Sequence, residues 1–267
     1  MVKQKINIKT FVVFYVGALL VLGAFYLGRP ELLWKGFLVA ALYVVFDLLW
    51  TYFRDKIWYF PSSSVISGFI LAIVGAPAPS LDLLVLLPLI AVASKQLIRL
   101  GRPKHIFNPA SFSMALLSIT GYQAVSWWGV AWGKPVLYAV LIAGLFILWR
   151  QNRFETAFSF LISYAVFLGI LFWTQGREIT QLATLLKPQI FDGTILFFAS
   201  VMLIEPMTSS FRGTQNRIIY GVLVGLAAVL FSALGQYLFF LDPLIGGLLV
   251  GNLIMSLIVY ARAFLLV

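Results

Sequence analysis

Apolar residues fill this chain in long stretches that are hydrophobic on every side, and short polar, glycine or proline-bearing turns separate them. A run of about 20 such residues is the length of a helix that crosses a bilayer. The pattern predicts a first set of membrane segments at Thr10 to Leu27, Glu31 to Trp50, Ser64 to Val74, Leu81 to Ile98 and Pro109 to Gly121. A second set follows at Pro135 to Trp149, Phe154 to Trp173, Thr194 to Ile204, Ile218 to Leu234 and Pro243 to Val259. The first run follows Lys3, Lys5 and Lys9 but is longer than a signal-peptide core and ends without a small-x-small cleavage site, so it reads as a span.

Two of these segments are too short to cross ~30 Å of hydrocarbon as helix. Ser64 to Val74 stops at Gly75-Ala76-Pro77, and Thr194 to Ile204 stops at Glu205-Pro206. Laying Ser64-Val65-Ile66 on Gly193-Thr194-Ile195 superposes Pro77 on Pro206 and Ser80 on Ser209. Further on, Phe107-Asn108-Pro109 matches Leu241-Asp242-Pro243. The expectation is an all-α membrane protein, a single domain over 1–267, with about ten segments in two five-helix repeats (1–121 and 135–267) joined by a loop over 122–134. An odd number of crossings per repeat inverts the second copy relative to the first.

Charge supports that arrangement. Only 10% of the 267 residues are charged and 62% are hydrophobic, against roughly 25% charged in soluble domains. The 19 basic residues lie in ones and twos between apolar runs, which argues for topology-setting loops and against a nucleic-acid partner. With the N-terminus cytoplasmic, Arg29, Lys35, Lys134, Arg177 and Lys187 fall outside and the other basic residues inside, so both termini are expected in the cytoplasm of a bacterial-type cell membrane. The absence of cysteine excludes thiolate metal sites and cysteine-ligated iron–sulfur clusters from this chain, and the single histidine excludes a multi-histidine metal centre.

A helix that stops at membrane depth leaves main-chain groups unpaired, so each break is a candidate ligand contact. Asn108 and Asp242 each precede a proline and read as helix caps, with a ligand role open for Asn108 because it follows Lys95, Arg99, Arg102, Lys104 and His105. Glu205 stands where a carboxylate is costly, and reads either as a ligand or ion contact or as the partner of Arg212 or Lys95; Thr208 and Ser209 add hydroxyls beside it. Asp47 lies within a span, with a structural and a functional reading equally open. Trp127, Trp128 and Trp132 read as membrane-interface anchors, or as a surface for stacking a planar ligand.

Lys104-His105-Ile106-Phe107-Asn108-Pro109-Ala110, together with Glu205-Pro206-Met207-Thr208-Ser209-Ser210, Arg212-Gly213 and Tyr220-Gly221, resembles the family of RnfD and NqrB. These are membrane subunits of the Rnf complex and of the Na⁺-translocating NADH:quinone reductase. The resemblance implies inverted five-helix repeats similar to urea transporters and a non-covalent flavin, riboflavin or FMN. It also implies electron relay between membrane or peripheral redox subunits in an ion-translocating complex. It further implies flavin contacts from His105 and Asn108 on one side and from Glu205, with Thr208 and Ser209, on the other. Two departures stand out: Glu205 replaces the family's usual Asp, and Ser118 to Lys134 lacks the Ser-Gly-Ala-Thr type run that carries covalent FMN. The reading left beside it is a channel or transporter for a small polar solute or ion.

Overall fold

The computed structural model describes residues 7–59, 61–77, 79–100, 104–122, 125–235, 237–238 and 241–265, with 262–265 as main chain only. Lys3, Lys5 and Arg102 of the charge argument lie outside these residues, as does the side chain of Arg262. Every regular element among the described residues is helical, apart from isolated bridges such as Gly75 with Val125 and Arg99 with His105.

Six helices are long and apolar enough to cross a membrane. They are α1 (Ile8–Tyr26), α2 (Glu31–Asp55), α6 (Lys134–Gln151), α7 (Phe154–Thr174), α11 (Thr214–Ala233) and α12 (Pro243–Leu265). Between them lie the shorter α3 (Ser62–Val74), α4 (Leu81–Leu97, with Pro88 inside) and α5 (Pro109–Ile119). In the second half come α8 (Ile179–Ile190), α9 (Gly193–Phe197, continued by one π-helical turn over Phe198–Met202) and the single turn α10 (Pro206–Ser209). Large apolar side chains such as Phe14, Leu81 and Ile142 are more than two-thirds exposed, at 73%, 79% and 71%. A surface that apolar is covered by lipid, and the chain is a helical integral membrane protein.

The helix ends follow from local chemistry. Gly28, at φ 64°, ends α1 by taking the left-handed conformation while its neighbour Arg29 donates its amide to Ala24, and Pro30 then opens α2. The π turn ends α9 through Leu203 donating its amide to Phe198, five residues back. α8 is the element that hydrophobic runs do not reveal. Its apolar positions Ile179, Leu182, Leu186 and Ile190 recur at helical spacing among polar ones, none of its residues is buried, and it meets α9 at a 59° bend.

Packing rests on small residues, as expected where lipid offers no hydrophobic drive between helices. Gly221 and Gly225 of α11 seat against Ser159 and Ser163 of α7, and Gly247 of α12 against Ala228 of α11. In the first half Gly68 of α3 lies on Ala40 of α2. α2 packs on α3 and α4, and α4 on α5; likewise α7 packs on α11, and α11 on α12, while α5 meets α12 across the molecule.

Candidate functional site

The loop before α5 folds back on the end of α4: Ile106 donates its amide to Ile98 at 3.1 Å and Leu100 to Lys104 at 3.1 Å. This fixes His105, which is buried, against the second half of the chain. Its Nε2 stands 3.3 Å from Oε1 of Glu205. Glu205 ends the α9 segment and caps α10: its carbonyl accepts from the amides of Thr208 at 3.2 Å and Ser209 at 2.9 Å and from Ser209 Oγ at 2.8 Å. Thr208 Oγ1 donates to Glu205 Oε2 at 3.2 Å. The Glu205 side chain keeps 20% of its exposure and His105 only 5%, so the carboxylate is the part of this pair within reach of an incoming group.

Asn108 is buried three residues beyond His105, and its Oδ1 accepts from the Ser111 amide at 3.1 Å, the cap expected of it. One turn into the same helix the Ser111 hydroxyl is buried with no hydrogen-bond partner. The structure therefore brings His105, Glu205, Thr208 and Ser209 into direct contact, with Asn108 at the adjoining helix start. Arg212 and Lys95, the sequence-level candidates to pair with Glu205, make no ion pair with it among the described contacts; Lys95 is bound to Asp47.

The Ser209 carbonyl at the end of α10, which accepts from the Phe211 amide at 2.8 Å, is also bound by a residue that sequence reasoning did not single out. Arg153, buried at the start of α7, donates from Nη1 to the Ser209 carbonyl at 2.9 Å and from Nη2 to Ser210 Oγ at 3.0 Å, and Lys104 Nζ reaches the Ser210 carbonyl at 3.4 Å. Burial, and then the neighbouring Arg217 guanidinium, push Arg153 below the ordinary arginine value. The turn carrying Glu205 is thus held by one guanidinium from behind while its carboxylate faces His105.

The other break is closed by protein. At the end of α3 the Ala72 carbonyl accepts from the indole of Trp128 at 2.8 Å and Ile73 from the Gly129 amide at 2.9 Å. Val74 accepts from the amides of Ser126 and Trp127 at 2.9 and 3.1 Å, and Gly75 from Ser126 Oγ at 2.8 Å. Trp127 also donates its indole N–H to Asp242 at 2.9 Å, while the other oxygen of Asp242 caps α12 through the amides of Leu244 and Ile245. Trp127 and Trp128 are therefore buried ties between segments, and the carbonyls at the end of α3 are bound by the chain itself. An apolar groove of about 460 Å³ between α2 and α4, lined by Phe46, Trp50 and Phe53 among others, includes none of the candidate residues. No protein-family description and no curated protein matches this sequence.

Proposed function

We propose that this chain is a flavin-binding membrane subunit of an ion-translocating electron-transport complex, similar to RnfD and NqrB, that relays electrons between partner subunits. The observation that carries the reading is the 3.3 Å contact between His105 and Glu205, which joins the two sequence stretches of the family resemblance across the molecule. The proposal includes ten membrane segments in two inverted five-helix repeats. In its support, the helix neighbours in the two halves correspond, α2–α4–α5 in one and α7–α11–α12 in the other. Each helix break also meets the capped helix start of the opposite half: Glu205 lies near Asn108 through His105, and Val74 is tied to Asp242 through Trp127. The basic loops put both termini in the cytoplasm of a bacterial-type cell membrane.

The donor set suits the polar edge of an isoalloxazine ring, which presents alternating carbonyl oxygens and ring nitrogens. Glu205 accepts, the Thr208 and Ser209 hydroxyls, whose protons go to Glu205, keep lone pairs to accept with, and the orphaned Ser111 hydroxyl marks a buried polar atom without a protein partner. A bound flavin supplies one- and two-electron transfer that no side chain of this chain supplies. The attachment would be non-covalent, since the connecting segment is engaged with the end of α3 and lacks the FMN attachment run.

Protein purified in mild detergent should show flavin absorbance, and denaturation should release riboflavin or FMN in near-equal amount to the chain. Colourless folded protein that also ignores added riboflavin and FMN overturns the reading. A solute channel is the second reading, favoured by the α9 helix ending within the molecule at Glu205; it predicts solute or ion flux into proteoliposomes with no electron donor.

A further inference from the structure

Asp47 is wholly buried in α2, inside the membrane part of the chain, and among the described residues makes no contact with the site around Glu205. Four side chains converge on its carboxylate. Oδ2 accepts from Lys95 Nζ at 2.8 Å, Ser64 Oγ at 2.5 Å and the Tyr59 hydroxyl at 2.6 Å, and Oδ1 from Gln96 Nε2 at 2.6 Å. Lys95 Nζ also donates to Ser64 Oγ at 3.1 Å and stands 5.9 Å from the centre of the Tyr43 ring. The ammonium thus sits between a carboxylate oxygen, a hydroxyl oxygen whose lone pair already faces it, and an aromatic face.

Those are the groups that bind an alkali cation as readily as an ammonium. We propose that the Asp47 carboxylate is an exchange site for a monovalent cation, in which the Lys95 ammonium is the resident, tethered cation that an ion from solution replaces. Three features favour exchange over a static strut. A buried ion pair adds little stability over apolar packing, whereas an intramembrane acid is costly to keep. The Lys95 side chain retains 15% exposure while Asp47 has none, so the lysine is the half of the pair that lies nearer the surface. Gln96, which holds the far oxygen of Asp47, is itself fixed by Arg54 Nη1 at 2.6 Å and by Arg99, so the carboxylate keeps its place when the lysine leaves.

The charge specifies the ion. One carboxylate balances one positive charge, and a divalent ion would leave an excess of one, since Arg54 beside the site is already paired with Asp55 at 2.6 Å. The inference stands apart from the flavin reading, and its test involves no flavin.

Lys95→Met removes the ammonium and keeps the stem. Melting of the purified variant is followed at constant ionic strength as choline chloride is exchanged for lithium, sodium or potassium chloride. One alkali cation should raise the midpoint saturably, by roughly 5 °C at a large excess over its dissociation constant, and at a concentration at least tenfold lower than any effect on the unaltered protein. Adding Asp47→Asn should abolish the rise. Because the chain has no cysteine, Lys95→Cys gives a second route: its midpoint should depend on the cation until the thiol is modified with 2-aminoethyl methanethiosulfonate, which restores a tethered ammonium. Monodisperse, helical Lys95→Met or Lys95→Cys protein whose midpoint is the same in all four salts overturns the proposal. So does a rise that survives Asp47→Asn.

Discussion

Trp127 donates its main-chain amide to Val74 and its indole N–H to Asp242, so one residue of the connecting segment holds the broken end of a first-half helix to the capped start of a second-half helix. Its φ of 56° is unusual for a side chain of this size, and the two hydrogen bonds fix it there. Trp127→Phe keeps the ring and leaves Asp242 one donor short. Thermal unfolding in detergent should show a loss of about 1–3 kcal/mol, the cost of an unmet buried acceptor; an unchanged midpoint would show that solvent reaches Asp242.

Gly129 lies so close to α3 that an added Cβ would stand 2.4 Å from Cβ of Ile73. Gly129→Ala must therefore push the connecting segment off the α3 carbonyls, at a cost of about 1–3 kcal/mol for the overpacking alone. Faster amide exchange at Trp127 and Gly129, with α7 and α11 unaffected, is the expected pattern by mass spectrometry.

Asn108 combines a cap with a place beside the candidate site, and two substitutions separate those roles. Asn108→Ser keeps a capping oxygen and should hold stability within a few tenths of a kcal/mol, whereas Asn108→Ala should lose about 0.5–2 kcal/mol. If the amide contacts the flavin, both variants lose flavin on purification, about tenfold relative to the unaltered chain. Loss in the alanine variant alone would leave Asn108 a cap only.

Tyr59 lies in the loop between α2 and α3, where burial, and then its hydrogen bond to Asp47, push its phenol from 10.0 up to about 12. The folded state therefore prefers the protonated phenol. The stability this gives is fully present below pH 10.0, the unfolded value, and is lost as pH rises toward about 12. The difference in phenolate absorbance between the unaltered protein and Tyr59→Phe should titrate near the upper value; a midpoint near the ordinary tyrosine value would mean the contact with Asp47 is not made in solution.

α8 packs on α7 through partly buried Leu186 and buries no residue fully, with apolar residues on one face and Lys187 and Gln181 elsewhere, the composition of a helix lying along a membrane surface. Single cysteines at Leu182 and Gln181, carrying a fluorophore, should differ, with lipid-borne quenchers reaching the first and aqueous iodide the second. Equal quenching would place α8 away from the bilayer.

Much of this architecture is legible from hydrophobic run length alone, because in lipid the solvent selects helices and little else. The ends of α6 and α7 and the start of α12 fall close to where the runs change, whereas α12 continues six residues past Val259, and the proline breaks after Val74 and at Glu205 are present as read. α8 escaped because it is amphipathic and its signal is a period and not a run. At the site, Glu205 beside Thr208 is readable from adjacency. Its contact with His105 is anticipated only through the family resemblance, since it joins residues far apart in sequence. Arg153 looked like a loop charge that sets topology and Lys95 like a candidate partner of Glu205; their actual partners, Ser209 and Asp47, are fixed by how helices pack, which local pattern does not encode. The hydrogen bonds of Trp127 and Trp128 were not legible for a related reason, since an indole suits both a lipid headgroup and a buried carbonyl.

The closure of α3 by Ser126, Trp127, Trp128 and Gly129 also sets an order in time. At about 5–20 residues per second, synthesis runs on for roughly 3–10 s after Val74 is joined before Gly129 is added. Throughout that interval the end of α3 has none of its native partners, and the nascent helix must shelter its bare carbonyls against the insertion machinery or water. The first half of this protein reaches its mature form only after the segment that connects it to the second half has been made.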